Sequence, residues 1–214
     1  MSDLALDSDT LPNGTTDQSA ARKRPKPGER RVQILHALAT MLEQPGAERI
    51  TTSALAARLE VSEAALYRHF ASKAQMFEGL IEFIEQSVFT LVNQIAEREP
   101  NPALRGRRLV MMVLQFAEKN PGMTRVMVGD ALVFENDRLQ ERMNQFFDKL
   151  EVSLKQNLRD AATASGAATP TVDAQVRASV AVAFMVGRLQ RFARSGFKRL
   201  PSEHLEASLA TILA

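Results

Sequence analysis

An all-α fold is predicted, and three observations predict it. No stretch alternates apolar and polar residues at period two for long enough to build a sheet. Apolar residues recur instead at three- and four-residue spacings along most of the chain, between Pro, Gly and Asn punctuation. The 214 residues are 45% hydrophobic with one Tyr and no Trp, so the core must be filled by Leu, Met, Phe and Ala, which suit helix packing.

Composition also excludes several functions. With no Cys, the chain has no disulfide, thiolate nucleophile or cysteine-bound metal, and suits a reducing compartment. The net charge is only +2, but it is unevenly spread. Asp3, Asp7, Asp9 and Asp17 precede the cluster Arg22, Lys23, Arg24, Lys26, Arg30 and Arg31. The start lacks the basic segment and apolar core of a secretory signal. No apolar run approaches the roughly 20 residues that span a bilayer. A cytoplasmic protein without a membrane partner is expected.

Residues 1–28 mix Ser, Thr, Asp, Gly and Pro without period and read as a disordered basic arm. Its cations either follow DNA phosphates or a minor groove, or simply solvate a tail. Residues 29–75 are assigned to a helix-turn-helix DNA-binding domain, and residues 76–214 to a helical dimerisation and partner-binding domain. The first helix carries Ile34, Leu35, Leu38, Met41 and Leu42 and ends near Pro45-Gly46.

The segment Ile50–Phe77 predicts two short helices, a tight turn and the start of a longer helix. Thr51 or Thr52 caps the first, which bears Leu55, Ala56 and Leu59 on one face. Ser62 caps the second, with Ala65, Leu66 and Phe70 inward. Ser72 and Gln75 form a capping-box pattern that opens the third. Ala56 and Ala65 let the short helices cross closely, and Val61 fills the corner. Ser62, Glu63, Ala64, Tyr67, Arg68, His69 and Lys73 then face outward, beside Thr51 and Thr52. Hydroxyls, an aromatic ring and cations at an exposed helix N-terminus suit a DNA major groove. Thr52, Ser62 and Tyr67 are placed for phosphate or base-edge contacts, and Lys73 for a phosphate. The plainer alternative is a helical hairpin with a solvated face.

The string LYRHFASK separates the two readings. With Thr51-Thr52, Leu55-Ala56, Val61-Ser62, Leu66-Tyr67, His69-Phe70 and Ser72-Lys73 in this spacing, the segment resembles the TetR family of bacterial DNA-binding proteins. That resemblance implies an N-terminal helix-turn-helix domain followed by a C-terminal helical dimerisation and regulatory domain. Two positions depart from it. Glu60 stands where relatives often have Gly, and positive φ would cost a non-Gly residue about 1–2 kcal/mol. Ala71 stands where relatives often have Pro.

Further on, Phe77, Leu80, Ile81, Ile84, Val88, Leu91 and Ile95 mark one long helix, ended near Glu99 by Pro100 and Pro102. Residues 104–119 form a helix apolar almost all round, stopped by Asn120, Pro121 and Gly122. A short irregular helical region at 124–134 follows. Leu139, Met143, Phe146, Phe147, Leu150, Leu154 and Leu158 line an amphipathic helix, and residues 161–171 read as a loop. A helix over 172–194 and a last one after Pro201 complete the chain. Met111, Met112, Met123, Met127, Met143 and Met185 either line an adaptable pocket or fill a core. Ala178, Ala181, Ala183 and Gly187 suit a dimer seam shared with the last helix, with intrachain packing as the alternative.

Catalysis finds no GxSxG, HExxH, P-loop or GxGxxG pattern, and His36, His69 and His204 lie in separate elements. Neither an enzyme nor a cofactor is expected. The few polar groups in 109–117 also predict no small-molecule ligand. Within the TetR family, RITTSALAARLEVSEAALYRHFASKAQMF, LIEFIEQS at 80–87 and NPGMTRVMVGDALVFENDRLQERMNQFF at 120–147 resemble its nucleoid occlusion factors. This implies a homodimer on palindromic double-stranded DNA that also binds FtsZ, the tubulin-like division protein, and opposes ring assembly over the chromosome. The resemblance points to Phe83, Lys119 and Asn120 for partner binding, with Glu82 and Gln86 nearby. Phe83 lies off the main apolar stripe, as an exposed anchor would, although a wide stripe would bury it. A ligand-released TetR-type repressor is the alternative.

Overall fold

Small polar side chains start the helices, because the first backbone N–H groups of a helix have no partner within it. The computed structural model describes residues 28–44 and 50–213, and shows helices and no strand among them. After α1 (Glu29–Leu42), Thr51 caps α2 (Thr52–Arg58) by accepting from the Ala54 N–H at 3.1 Å. Ser62 caps α3 (Glu63–Tyr67) through the Ala65 N–H, and Ser72 caps α4 (Lys73–Arg98) through the Gln75 N–H. The expected reciprocal bond is displaced by one residue: Gln75 Oε1 accepts from Ala71 N–H rather than from Ser72. Asn101 caps α5 (Pro102–Lys119), and Asn136 caps α7 (Asp137–Ala164).

The helices that Pro102 and Pro121 were read as ending do end before them, and proline also opens the helices that follow. Pro102, Pro121 and Pro170 stand at the first positions of α5, α6 (Pro121–Met127) and α8 (Pro170–Arg194). Its missing N–H is one that a first turn leaves unused, and its fixed φ is already helical. The irregular stretch over 124–134 thus divides into α6, a left-handed Gly129 and a 3-10 turn at Asp130–Leu132. Part of the expected loop at 161–171 belongs to α7, which runs on to Ala164. The last helix, α9, spans Leu205–Ile212. The arm and the Pro45-Gly46 stop fall outside the described residues, save Gly28.

One hydrophobic core joins these elements. Ile34, Leu38 and Leu42 of α1 belong to it together with Leu66, Phe70, Phe77, Ile81, Ile84, Val113, Leu114, Phe146 and Leu150. Met127, Met143 and Met185 are buried in it, and Met111, Met112 and Met123 pack partly covered against it. That favours filling over pocket lining for the methionines. The boundary proposed at 75/76 falls inside the first turn of α4, which runs unbroken through it. α7 and α8 form the most extensive helix pair, and Gln175 reaches back to Glu151 at 3.0 Å across the antiparallel hairpin.

The tightest crossing is between α1 and α6. A Cβ placed on Gly122 would lie 1.9 Å from the Ala39 carbonyl oxygen, which is backbone and cannot swing aside. Gly122→Ala should therefore lower stability by about 1–3 kcal/mol through overpacking, read as a fall in the urea midpoint with an unchanged slope. Unaltered stability would mean that the two helices part at little cost.

Candidate nucleic-acid interface and partner face

The turn of the helix-turn-helix is a helix C-cap with an unusual occupant. Val61 N–H donates to Ala56 O at 3.0 Å and Glu60 N–H to Ala57 O at 3.1 Å, the paired bonds of a Schellman motif. This motif needs a left-handed residue between helix and exit, and Glu60 takes it with φ 55°. The turn thus has the geometry that the departure from Gly implied. Leu66 and Phe70 are buried while Ser62, Glu63, Ala64, Tyr67, Arg68 and His69 are exposed. Thr51 serves as the α2 cap and is exposed, with Thr52 half-buried beside it.

Two of these groups are already engaged. Thr52 donates its hydroxyl to Glu63 Oε2 at 2.7 Å, tying the starts of α2 and α3 together. That bond holds a carboxylate in place on the candidate DNA-facing surface. The Lys73 ammonium lies 2.5 Å from Glu135 Oε1 and 5.7 Å from the Phe77 ring centroid. Lys73 is therefore an ion-paired side chain, not a free cation waiting for phosphate.

A further residue holds the unit from below. Arg31 of α1 donates to the His69 carbonyl at 2.7 Å and stacks its guanidinium over the Phe70 ring at 4.2 Å. It fixes the chain where α3 ends. The sequence shows Arg31 only as the last member of a basic cluster, and no local spacing reveals a bond spanning 38 residues.

On the partner face, Phe83 is 48% exposed on α4, and Glu82 accepts from Gln86 Nε2 at 3.3 Å next to it. Lys119 is exposed at the end of α5, which packs against α4. Asn120 forms the corner: its side-chain amide donates to Phe116 O at 2.7 Å, and its carbonyl accepts from the Thr124 hydroxyl. The same hydroxyl donates to Ala117 O at 2.9 Å, so the bend from α5 into α6 is held from both sides.

The small residues of α8 divide differently from expectation. Ala178 and Ala181 are fully buried within the chain, where α8 meets α7, and so do not face a second copy. What α8 leaves open is Val172, Val176 and Val180 at four-residue intervals, 63%, 58% and 48% exposed, followed by the exposed Ala183. Gly187 has open space where its Cβ would lie. Among the described residues no helix is long and apolar enough to cross a membrane.

A twin short-helix unit on a helical bundle defines a TetR-type DNA-binding regulator, a class that is not enzymatic. Residues 34–80 match the model for bacterial regulatory proteins of the tetR family, and residues 102–213 match the SlmA-like model of the tetracyclin repressor-like C-terminal domain. The nucleoid occlusion factor SlmA of Idiomarina loihiensis is 51% identical over 178 residues, covering 83% of this chain and 90% of that protein. SlmA of Vibrio cholerae is 49% identical over 186 residues, 86% and 94% of the two chains. The fatty acid degradation regulator FadR of Bacillus halodurans superposes with a TM-score of 0.71 over 89% of this chain and 97% of its own, at 16% identity, which shows the fold alone. This chain belongs to the SlmA family of nucleoid occlusion factors.

The geometry of Glu60 generates a test within the site. Glu60→Gly relieves a left-handed side chain and should raise stability by about 0.5–1 kcal/mol after the added chain entropy of Gly. DNA affinity should stay as it is. A stability loss in the same denaturation experiment would show that other contacts of Glu60 outweigh the backbone strain.

Proposed function

We propose that this protein acts as a DNA-bound homodimer on a palindromic site and, in that state, opposes FtsZ assembly over the chromosome. The observation that carries this reading is about half identity to SlmA nucleoid occlusion factors along most of both chains, through the helix-turn-helix and the C-terminal bundle together. A twofold pair of α3 helices reaches successive major grooves about 34–36 Å apart. Thr51, Thr52, Ser62, Glu63, Ala64, Tyr67, Arg68, His69 and Lys73 make up the DNA face. Glu82, Phe83, Gln86, Lys119 and Asn120 make up the FtsZ face. An exposed aromatic ring, with a cation exposed at the end of the neighbouring helix, suits a flexible tail that is acidic and apolar, with the ring as anchor.

Two experiments test the halves separately. Selection from random duplexes should return a palindrome, and Lys73→Ala should weaken binding to all sequences alike, lowering the salt slope by about one unit. Recovery of no palindrome would sink the DNA assignment. FtsZ polymerisation, followed by sedimentation with and without the selected duplex, should be inhibited strongly only in its presence. Phe83→Ala and Lys119→Ala should each keep DNA affinity and lose inhibition. Full inhibition by both would show that the partner face lies elsewhere.

A further inference from the structure

Three ion pairs join α4 to α7 and to the turn that leads into it. Lys73 pairs with Glu135, Glu78 with Arg138 and Glu85 with Arg142. The sign reverses along the row, with the cation on α4 nearest the DNA-binding unit and carboxylates beyond it. Glu78 and Glu85, seven residues apart, share a face of α4, and Phe83 lies roughly 160° around the helix from Glu85. The row therefore helps to set the rotation of α4, and with it the direction of Phe83.

Lys73 has two anionic claimants, the carboxylate it holds and the DNA phosphate its position suits. We propose that Glu135 is a coupling residue: a DNA phosphate displaces it from the Lys73 ammonium, and the exchange transmits DNA binding to the partner face. This rests on the function proposed above and supplies its regulation. The Glu135 side chain is only 10% exposed, while that of Lys73 is 31% exposed. A carboxylate so covered does not stay unpaired cheaply, and a phosphate beside it adds repulsion. Losing Lys73 therefore moves Glu135 and the turn that carries it.

That movement has a short path to follow. The segment ending at Glu135 begins at Lys119-Asn120 and consists of α6, Gly129 and the 3-10 turn. Its first end is closely packed, since Gly122 abuts the α1 backbone at Ala39. A shift at Glu135 reaches Lys119 and Asn120 along this segment. Release of the first pair also loosens the row that orients Phe83. Linkage then requires that the FtsZ tail tighten DNA binding by the factor with which DNA tightens tail binding.

Glu135→Gln keeps the side-chain shape and removes the charge. Its affinity for the duplex selected by wild type, read by fluorescence anisotropy, should rise about two- to fivefold, the scale of a partly exposed ion pair. Inhibition of FtsZ sedimentation should set in at correspondingly lower duplex concentration. In a Lys73→Ala background the same substitution should change DNA affinity by less than the error. Unchanged or weaker DNA binding by Glu135→Gln overturns the proposal. So does an equal gain in the Lys73→Ala background, which would reflect only the removal of a repelling charge. Should Glu135→Gln not fold, Glu135→Asp retracts the carboxylate by one methylene and carries the same expectation with a smaller gain. Wild type run in the same titrations tests the proposed function independently, since its failure to bind duplex or inhibit FtsZ would sink that reading alone.

Discussion

The position of the seven-residue α6 decides how the DNA-binding unit meets the rest of the molecule. It packs on α1, α4, α5 and α8 together. A helix of that length has no stability of its own in water, so its place must be imposed from outside. The Thr124 hydroxyl, bonded back to Ala117 and Asn120, sets the angle at which it leaves α5. Gly122 sets how closely it meets α1, backbone against backbone at Ala39. A side chain there would push α1 outward, and with it the Arg31 guanidinium that steadies the end of α3.

The same dependence on neighbours holds within the helix-turn-helix. α3 has five residues, too few to form without support. Its start is held by the Ser62 cap and by the Thr52–Glu63 bond, its end by Arg31, and its inner face by Leu66 and Phe70 in the core. These contacts come from α1, α2, the turn and, through Phe70 beside Gly79, α4. A recognition helix ordered in this way meets DNA without first having to fold, which removes an entropy cost from binding. The strained φ of Glu60 is tolerated because the two Schellman bonds and the core on either side fix the chain.

Local chemistry was legible in the sequence, and pairing across the fold was not. Thr51, Ser62 and Ser72 were readable as caps because a cap is defined by residues three apart. Glu60 was readable as a left-handed position only through the resemblance, because relatives often have Gly there. The apolar stripe of α4 named its buried face as far as Val88 and left Phe83 outside it, but placed Leu91 inward where Leu91 is exposed and Val92 is buried. Pro121-Gly122 was read as a stop because proline ends one helix and opens the next with equal ease, and only the packing of α1 shows why glycine follows. Ala178 and Ala181 showed that small residues allow close approach without showing which helix approaches. Glu135 carried no signal at all, since its partner lies 62 residues away. Spacing reports which face a residue occupies, and says nothing of what stands opposite.

Two of the apolar exposures among the described residues ask for different partners. Phe83 is an isolated ring with Glu82 and Gln86 beside it, which suits a short segment that needs one anchor and a polar rim. Val172, Val176 and Val180 instead make a strip of several helical turns, which fits a surface equally long and straight. Covering three half-exposed valines on each of two chains contributes on the order of 6 kcal/mol, at the low end of the 4–15 kcal/mol or so that association costs. A dimer built on α8 alone would therefore be weak. Val152, 67% exposed on α7, directly follows Glu151, just as Val176 follows its partner Gln175. The α7–α8 hairpin as a whole thus offers a broader apolar face than either helix. A twofold pairing of two hairpins as a four-helix bundle would bury that whole face in the proposed homodimer.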